Sequence, residues 1–222
     1  MCGRYTLKSP VERLAEKFHL TDALSLKPRY NIAPSQPVAV VRRLPDNSDR
    51  KLVMLRWGLI PAWMKDSTGG AQPINAKSET AAEKPMFRYA FRRRRCLVPA
   101  DGFYEWRQED MRKQPVYICM KDREPFAFAG LWEHWENQDG QAIESCTILT
   151  TEPNDLLKPI HNRMPVILDP KDYDLWLDPG VRDAGKLRPR LGPYPPEDMN
   201  AYPVSLRVNN PLNDDPACIE PI

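Results

Sequence analysis

Proline constrains the fold of this 222-residue chain more than any other residue type. The chain contains 24 prolines but only 10 glycines. Because proline fixes φ and lacks an amide proton, it is excluded from helix interiors and from central strand positions. We therefore predict many short strands joined by stiffened loops, with only short helices.

The apolar runs have the lengths of strands, which agrees with this prediction. Their positions are 37–43, 51–57, 96–99, 103–107, 116–121, 126–135, 142–151, 166–168 and, in the tail, 201–208. Pro45-Asp46-Asn47-Ser48 predicts a turn between the first two runs, and Asp139-Gly140 predicts a hairpin between 126–135 and 142–151. The simplest fold is α+β: a single domain over 1–222, built on a curved, mostly antiparallel, barrel-like sheet with a few short flanking helices.

Three short segments have helical signals. Ser9-Pro10-Val11-Glu12 reads as a capping box with proline at the first helical position, so we predict a helix over 10–19. A second helix is predicted over 78–84. A third, over 170–177, is capped by Asp169, with Leu175 and Trp176 facing inward. The tail from 180 to 222 is loop-rich.

The composition excludes several classes of protein. Five dispersed cysteines without a C-x-x-C pair and only three histidines argue against a disulfide framework and a zinc site. No run is long enough to span a bilayer, and no secretory signal opens the chain. We expect a cytoplasmic protein that uses no metal and no cofactor.

Cys2 follows the initiator methionine directly. Removal of Met1 would leave an α-amine and a thiol on adjacent carbons. Their ordinary pKa values are about 7.7–8.0 and about 8.5, so part of each group is reactive at neutral pH. Such a 1,2-aminothiol can attack a carbonyl twice, first as an imine and then as a thiazolidine ring. The alternative is that Cys2 is a buried small apolar residue.

Three polar residues could serve that chemistry, and each also has a structural interpretation. Asn75 could hold a carbonyl or hydroxyl, or could satisfy a turn. Glu105 shares a strand face with Phe103, where burial would raise its pKa toward neutrality, or where an arginine could pair with it. His161 lies in a polar loop and could donate a proton or be structural.

A run of arginines occupies positions 88, 92, 93, 94 and 95. A phosphate-binding site and a solvated helix end explain such a run equally well. The net charge of +2 does not by itself indicate a nucleic-acid binder.

Six motifs in order resemble the SRAP family, the SOS-response-associated peptidases or abasic-site-processing proteins, over about residues 1–168. The motifs are Met1-Cys2-Gly3-Arg4, Arg29-Tyr30-Asn31-Ile32-Ala33-Pro34, Arg56-Trp57-Gly58-Leu59-Ile60-Pro61, Ile74-Asn75-Ala76, Gly102-Phe103-Tyr104-Glu105-Trp106 and Ile160-His161-Asn162-Arg163-Met164-Pro165. The resemblance implies that Cys2, once Met1 is removed, crosslinks to the aldehyde of an abasic site in single-stranded DNA. It also implies a lyase-type side activity and self-release of Met1.

The resemblance assigns catalytic roles to four residues. Cys2 is the nucleophile, and Asn75 holds its N-terminus or the sugar. His161 protonates the sugar ring oxygen, and Glu105 shuttles protons during imine formation and reversal. Expected DNA contacts are phosphate-binding or base-stacking side chains: Arg4, Pro34, Trp63, Lys77, Met86, Arg88 and Arg163.

Two positions depart from the usual family pattern, in which arginine follows Asn-Ala and aspartate follows the histidine. Here those positions are Lys77 and Asn162. Lysine weakens a bidentate phosphate contact, and asparagine removes a negative charge that would raise the pKa of His161.

The expected protein is a monomer that associates with the nucleoid when it binds DNA. One alternative is an N-terminal-nucleophile thiol peptidase or amidohydrolase acting on other molecules, although no oxyanion-hole loop is evident. A second alternative is a DNA-binding module in which Cys2 is structural.

Overall fold

Short strands make up most of the regular structure. The computed structural model describes residues 2–22, 24–44 and 49–222, so the predicted turn Pro45-Asp46-Asn47-Ser48 lies outside the described residues. The strands are β1 (Tyr5–Leu7), β2 (Leu20–Asp22), β3 (Arg29–Ile32), β4 (Pro37–Arg42), β5 (Arg50–Trp57), β6 (Asn75–Lys77), β7 (Arg95–Ala100), β8 (Gly102–Glu109), β9 (Arg112–Met120), β10 (Phe126–Glu136), β11 (Ala142–Thr151), β12 (Met164–Pro165), β13 (Ile167–Leu168) and β14 (Met199–Pro203).

The helices are all short, as the proline content predicts. The α-helices are α1 (Val11–Phe18), α2 (Ser78–Ala81), α3 (Arg88–Arg93), α4 (Tyr173–Leu177) and α5 (Ala184–Leu187). Single 3-10 turns cover Pro170–Asp172, Arg188–Arg190, Pro196–Asp198, Leu206–Asn209 and Pro216–Ile219. Within the described ranges, no helix combines the length and apolar character needed to cross a membrane.

Five of the strands form a barrel. β4 pairs with β5 and β7, β7 pairs with β10, and β10 pairs with β11, all in antiparallel fashion. A parallel pairing of β11 with β5, in which Ser145 lies opposite Arg56, closes the circuit. The predicted curved, mostly antiparallel, barrel-like α+β fold is therefore confirmed.

A second sheet lies beside the barrel, with strand order β14-β9-β8-β1-β3. Strand β8 separates two apolar clusters, because its side chains alternate between its two faces. Phe103 lies in the large core, which extends into the barrel, whereas Tyr104 and Trp106 belong to a small cluster under the tail. The alternation predicted for this strand is thus confirmed.

Asp101 links the two sheets at the point where β7 ends and β8 begins. Its buried carboxylate accepts hydrogen bonds from the backbone amides of Lys8 and Ser9 and from the Ser9 hydroxyl. The predicted capping box at Ser9 is consequently wrong. Pro10 is the N-cap of α1 and makes no side-chain cap bond, because a distant carboxylate engages Ser9 instead.

Other predicted elements differ from the structure mainly at their ends. The helix predicted over 78–84 stops at Ala81 and continues as turns, consistent with Pro85, which disfavours helical geometry at the residue before it. The sequence did not predict α3. The tail strand predicted over 201–208 covers Met199–Pro203, and a Ser205-capped 3-10 turn follows it. Asp169 caps its helix as predicted, with Trp176 buried.

Gly102 provides a test of how closely β8 packs against β9 in the five-stranded sheet. A Cβ at this position would overlap the ring of Tyr117 and lie 2.7 Å from the carbonyl oxygen of Ile118. We expect Gly102→Ala to lower the free energy of unfolding by about 3 kcal/mol, because the core cannot expand to accept the methyl group. Gly192→Ala is the control, since a Cβ there meets nothing within 4 Å. Urea denaturation that shows equal stability for both variants would contradict the close packing.

Candidate active site at the junction of the two sheets

Cys2 lies three residues before the start of β1 at Tyr5 and is fully buried. The antiparallel pairing of β1 with β8 sets its position, since Tyr5 lies opposite Phe103 and the Tyr104 amide donates to the Arg4 carbonyl at 3.0 Å. This register carries the N-terminal residues along β8 toward Glu105. Cys2 and Glu105 therefore both come from the five-stranded sheet.

Asn75 comes from an additional strand attached to the barrel. It begins β6, which pairs in parallel with β11 so that Asn75 lies opposite Ile148. Its side-chain Nδ2 donates a hydrogen bond of 2.8 Å to the backbone carbonyl oxygen of Cys2. The amide thus joins the two sheets and holds the N-terminal segment, whereas the turn interpretation would have used it locally.

Glu105 and His161 meet across the same junction. The imidazole Nε2 lies 4.0 Å from Oε2 of Glu105. Nδ1 of His161 lies 3.0 Å from the Arg163 amide nitrogen and 3.1 Å from the Arg163 carbonyl oxygen, so the Arg163 backbone holds the ring with Nε2 facing the carboxylate. Within the described part of the chain, the basic side chain that reaches Glu105 is therefore this histidine and not the arginine considered from the sequence.

Burial controls the protonation of the site. It raises the pKa of Glu105 to about 7, since the carboxylate is only 2% exposed. Burial also lowers the pKa of His161, which disfavours the imidazolium form at neutral pH. The pKa of the Cys2 thiol rises well above its ordinary value, first because of burial and second because of the nearby Glu105 charge. At neutral pH the site accordingly favours a neutral thiol, a neutral imidazole and a partly protonated carboxyl.

The side chains expected to contact DNA fall into two groups. Trp63, Lys77 and Arg88 are exposed, whereas Pro34 and Met86 are half-buried. Arg4 and Arg163 are already hydrogen-bonded to other residues of this chain.

Arg4 Nη1 donates to Oδ1 of Asn31 at 3.0 Å and to the Val208 carbonyl at 2.8 Å. Arg163 forms a bidentate ion pair with Glu79 at 2.7 and 2.9 Å and also donates to the Thr150 carbonyl. A phosphate would therefore compete with these contacts for either guanidinium.

Asn31 has a structural role that the sequence interpretation did not assign. It is fully buried, and its amide donates to the carbonyls of Val208, Asn210 and Asn213 in the tail. Asp214 accepts hydrogen bonds from the backbone amide of Asn31 and from the side chain of Arg29. The tail is thereby fastened to β3 and to Arg4. The only sequence signal was the position of Asn31 inside one of the six motifs.

The chain is similar to a protein family, to curated relatives and to solved structures. Residues 1–211 match SRAP, the SOS response associated peptidase family. The chain is 45% identical to the abasic site processing protein YoqW of Bacillus subtilis over 224 residues, which cover 99% of each protein.

Another curated relative is the abasic site processing protein HMCES of Mus musculus, which is 31% identical across 100% of this chain and 76% of the relative. A crystal structure of a protein from Bacteroides thetaiotaomicron superposes with a TM-score of 0.89 at 27% identity, over the full length of both chains. With its motifs, its fold and these matches in agreement, the chain belongs to the SRAP family.

Proposed function

We propose that this protein processes abasic sites in single-stranded DNA and forms a covalent crosslink to them through Cys2 after Met1 is removed. The observation that carries the proposal is the convergence of Asn75 on the Cys2 carbonyl at 2.8 Å, beside a Glu105–His161 pair at 4.0 Å. The relatives YoqW and HMCES are both named abasic site processing proteins, which supports the same substrate.

The first step joins the Cys2 amine to the lesion. An abasic deoxyribose is in equilibrium with an open-chain aldehyde, and opening requires a proton on the ring oxygen. We assign that proton to the minor imidazolium form of His161, and the resulting neutral imidazole takes a replacement proton from the protonated form of Glu105. The free amine then adds to the aldehyde carbon, and the carbinolamine loses water to form an imine. A carboxyl group with a pKa near 7 suits this step because it can accept the amine proton and return it to the leaving hydroxyl.

The second step closes the ring. The neutral Cys2 thiol adds to the imine carbon, while its proton passes through Glu105 to the imine nitrogen. The products are a thiazolidine and the water released earlier, so no oxidant or cofactor is consumed. Five-membered ring closure from adjacent carbons compensates for the low thiolate fraction of a buried thiol, because both reacting groups already belong to one residue.

The lyase side activity follows from the same imine, whereas self-release of Met1 must precede it. An imine that is not closed by the thiol permits elimination of the 3′ phosphate, which is the lyase side reaction. For the release of Met1, the Cys2 thiol would attack the Met1 carbonyl carbon to form a thioester and free the Cys2 amine, and water would then hydrolyse the thioester and release Met1 as the free amino acid. Both belong to the proposal, as does action by a monomer on DNA without metal or cofactor.

The peptidase acting on other molecules has less support. A thiol peptidase needs an accessible thiolate, whereas Cys2 is fully buried and its pKa is raised. The same two observations suit a thiol that reacts only with a group already bound to the neighbouring amine.

Variants at Cys2 separate the two nucleophiles. We expect Cys2→Ala to lose the denaturation-resistant adduct with an abasic single-stranded oligonucleotide. Cys2→Ser retains the amine, so it should form an imine that survives gel electrophoresis only after borohydride reduction. Cys119→Ala, which changes a buried cysteine in β9, should retain the wild-type adduct. Absence of an adduct with the wild-type protein would refute the proposal. Intact mass spectrometry must also show loss of Met1, because a retained methionine leaves no free amine on Cys2.

Glu105→Gln tests the proton shuttle. The amide cannot exchange a proton, so we expect crosslinking to slow by about 10²–10⁴-fold, while equilibrium binding of abasic DNA is retained. Glu109→Gln is the control, since Glu109 lies on the same strand but is exposed. A crosslinking rate unchanged by Glu105→Gln in single-turnover measurements would remove Glu105 from the mechanism.

The same variant should be more stable than the wild type in alkaline solution. Glu105 has a pKa of about 7 in the folded protein against an ordinary value of 4.5, so the fold favours the protonated form. The stability contributed by that form is complete below pH about 4.5 and is lost as pH rises through 7. We expect Glu105→Gln to exceed the wild type by up to about 3 kcal/mol at pH 8 and by little at pH 5. Urea denaturation at both pH values measures this difference, and an equal difference at the two would contradict the raised pKa.

A further inference from the structure

The arginine run around α3 divides into two parts with different environments. Arg95 is buried and donates to the carbonyls of Phe91 and Trp176, and Arg94 forms an ion pair with the buried Glu133. Arg88, Arg92 and Arg93 are instead exposed on the helix. Arg94 and Arg95 thus secure α3 to the barrel, whereas Arg88, Arg92 and Arg93 face outward.

The outward arginines lack the carboxylate partners that several other arginines of this chain have. A carboxylate lies beside the guanidinium of several exposed or half-buried arginines: Arg13, Arg29, Arg43, Arg107, Arg188, Arg190 and Arg207. Across residues 2–22, 24–44 and 49–222, no ion pair is found for Arg88, Arg92, Arg93 or the nearby Arg182. Unneutralised positive charge concentrated on one side of a protein attracts a polyanion.

The surface between these cations is grooved. One groove lies between α3 and the segment leading into α5, and Arg92, Arg93 and Arg182 line it. Asp183 also lines this groove and caps α5, but its single negative charge is set against four arginines, since Arg88 lines the groove as well. The groove is therefore predominantly cationic.

Tyr89 connects this groove to the region expected to contact DNA. It is 50% exposed, and the Arg94 guanidinium lies 5.1 Å from the centre of its ring. It also lines a second groove with Trp63, which is 65% exposed, and Arg88. Exposed rings between cations are typical of surfaces on which bases of a single strand stack while its phosphates are held.

We propose that Tyr89, Arg92, Arg93 and Arg182, here called the arginine face, bind the backbone and bases of undamaged single-stranded DNA that leads away from the lesion. The face lies close along the chain to the candidate active site, because α2 alone separates β6, which carries Asn75, from α3. The inference rests on the proposed function and extends it from the lesion to the flanking strand.

The test compares oligonucleotides of two lengths that carry one central abasic analogue that cannot react. A short one covers only the lesion and its nearest neighbours, and a long one reaches the arginine face. The double variant Arg92→Gln/Arg93→Gln should lower the ratio of long-strand to short-strand affinity. It should also reduce the slope of log K against log salt for the long strand by about 1.4, since each single-strand phosphate contact contributes about 0.7. Thermal unfolding at the wild-type temperature establishes that the double variant is folded.

Arg13→Gln/Arg43→Gln is the matched control, because it removes two arginines that already pair with Glu124 and Asp174. This control should retain the wild-type length ratio and salt slope. The proposal for the arginine face would be overturned if Arg92→Gln/Arg93→Gln left the salt slope on the long strand unchanged. It would also be overturned if the double variant lost the same affinity for both strand lengths. Crosslinking by the wild-type protein is measured separately with reactive abasic DNA. Its failure would refute the proposed function, whereas an unchanged salt slope would refute only this extension.

Discussion

The parallel pairing along one edge of β11 is the constraint on which the rest of the structure depends. This strand binds β5 through Ser145 and Cys146 and then, further along, binds β6 through residues 148–150. The first pairing closes the barrel, and the second places Asn75. Beyond its pairing with β10, β11 also pairs with β12, which fixes the turn that carries His161. Two of the four candidate catalytic residues thus take their positions from one strand.

The other two residues depend on the second sheet, so the site exists only where the sheets meet. Cys2 and Glu105 are brought together by the pairing of β1 with β8, and Asp101 holds the start of the chain at that junction. This arrangement buries the Glu105 carboxylate. Because burial raises its pKa to about 7, ionisation of this group opposes folding. A group of this kind stabilises the protein less than an uncharged one would, but it can exchange protons at neutral pH.

Much of the fold could be predicted from local patterns. The strand at 142–151 has the predicted bounds, and alternation correctly separated Phe103 from Tyr104. Local patterns failed where a distant group competed for a local one, as when Asp101 bound Ser9 and removed the expected capping box. They also failed for α3, a helix too short to show a clear period in which arginines occupy most of the polar positions.

The sequence alone determined that the chain would form short strands and that Cys2 would become an aminothiol without Met1. It also named the partners Asn75, Glu105 and His161 through their motifs. Only the tertiary structure decided which atoms face one another. The Asn75 amide binds the Cys2 carbonyl, and Nε2 of His161 faces Glu105. Arg4 and Arg163 bind other residues of the chain. The reason is physical. Hydrogen bonds and pKa values depend on distances through space and on exclusion of water, and long-range strand pairing sets both.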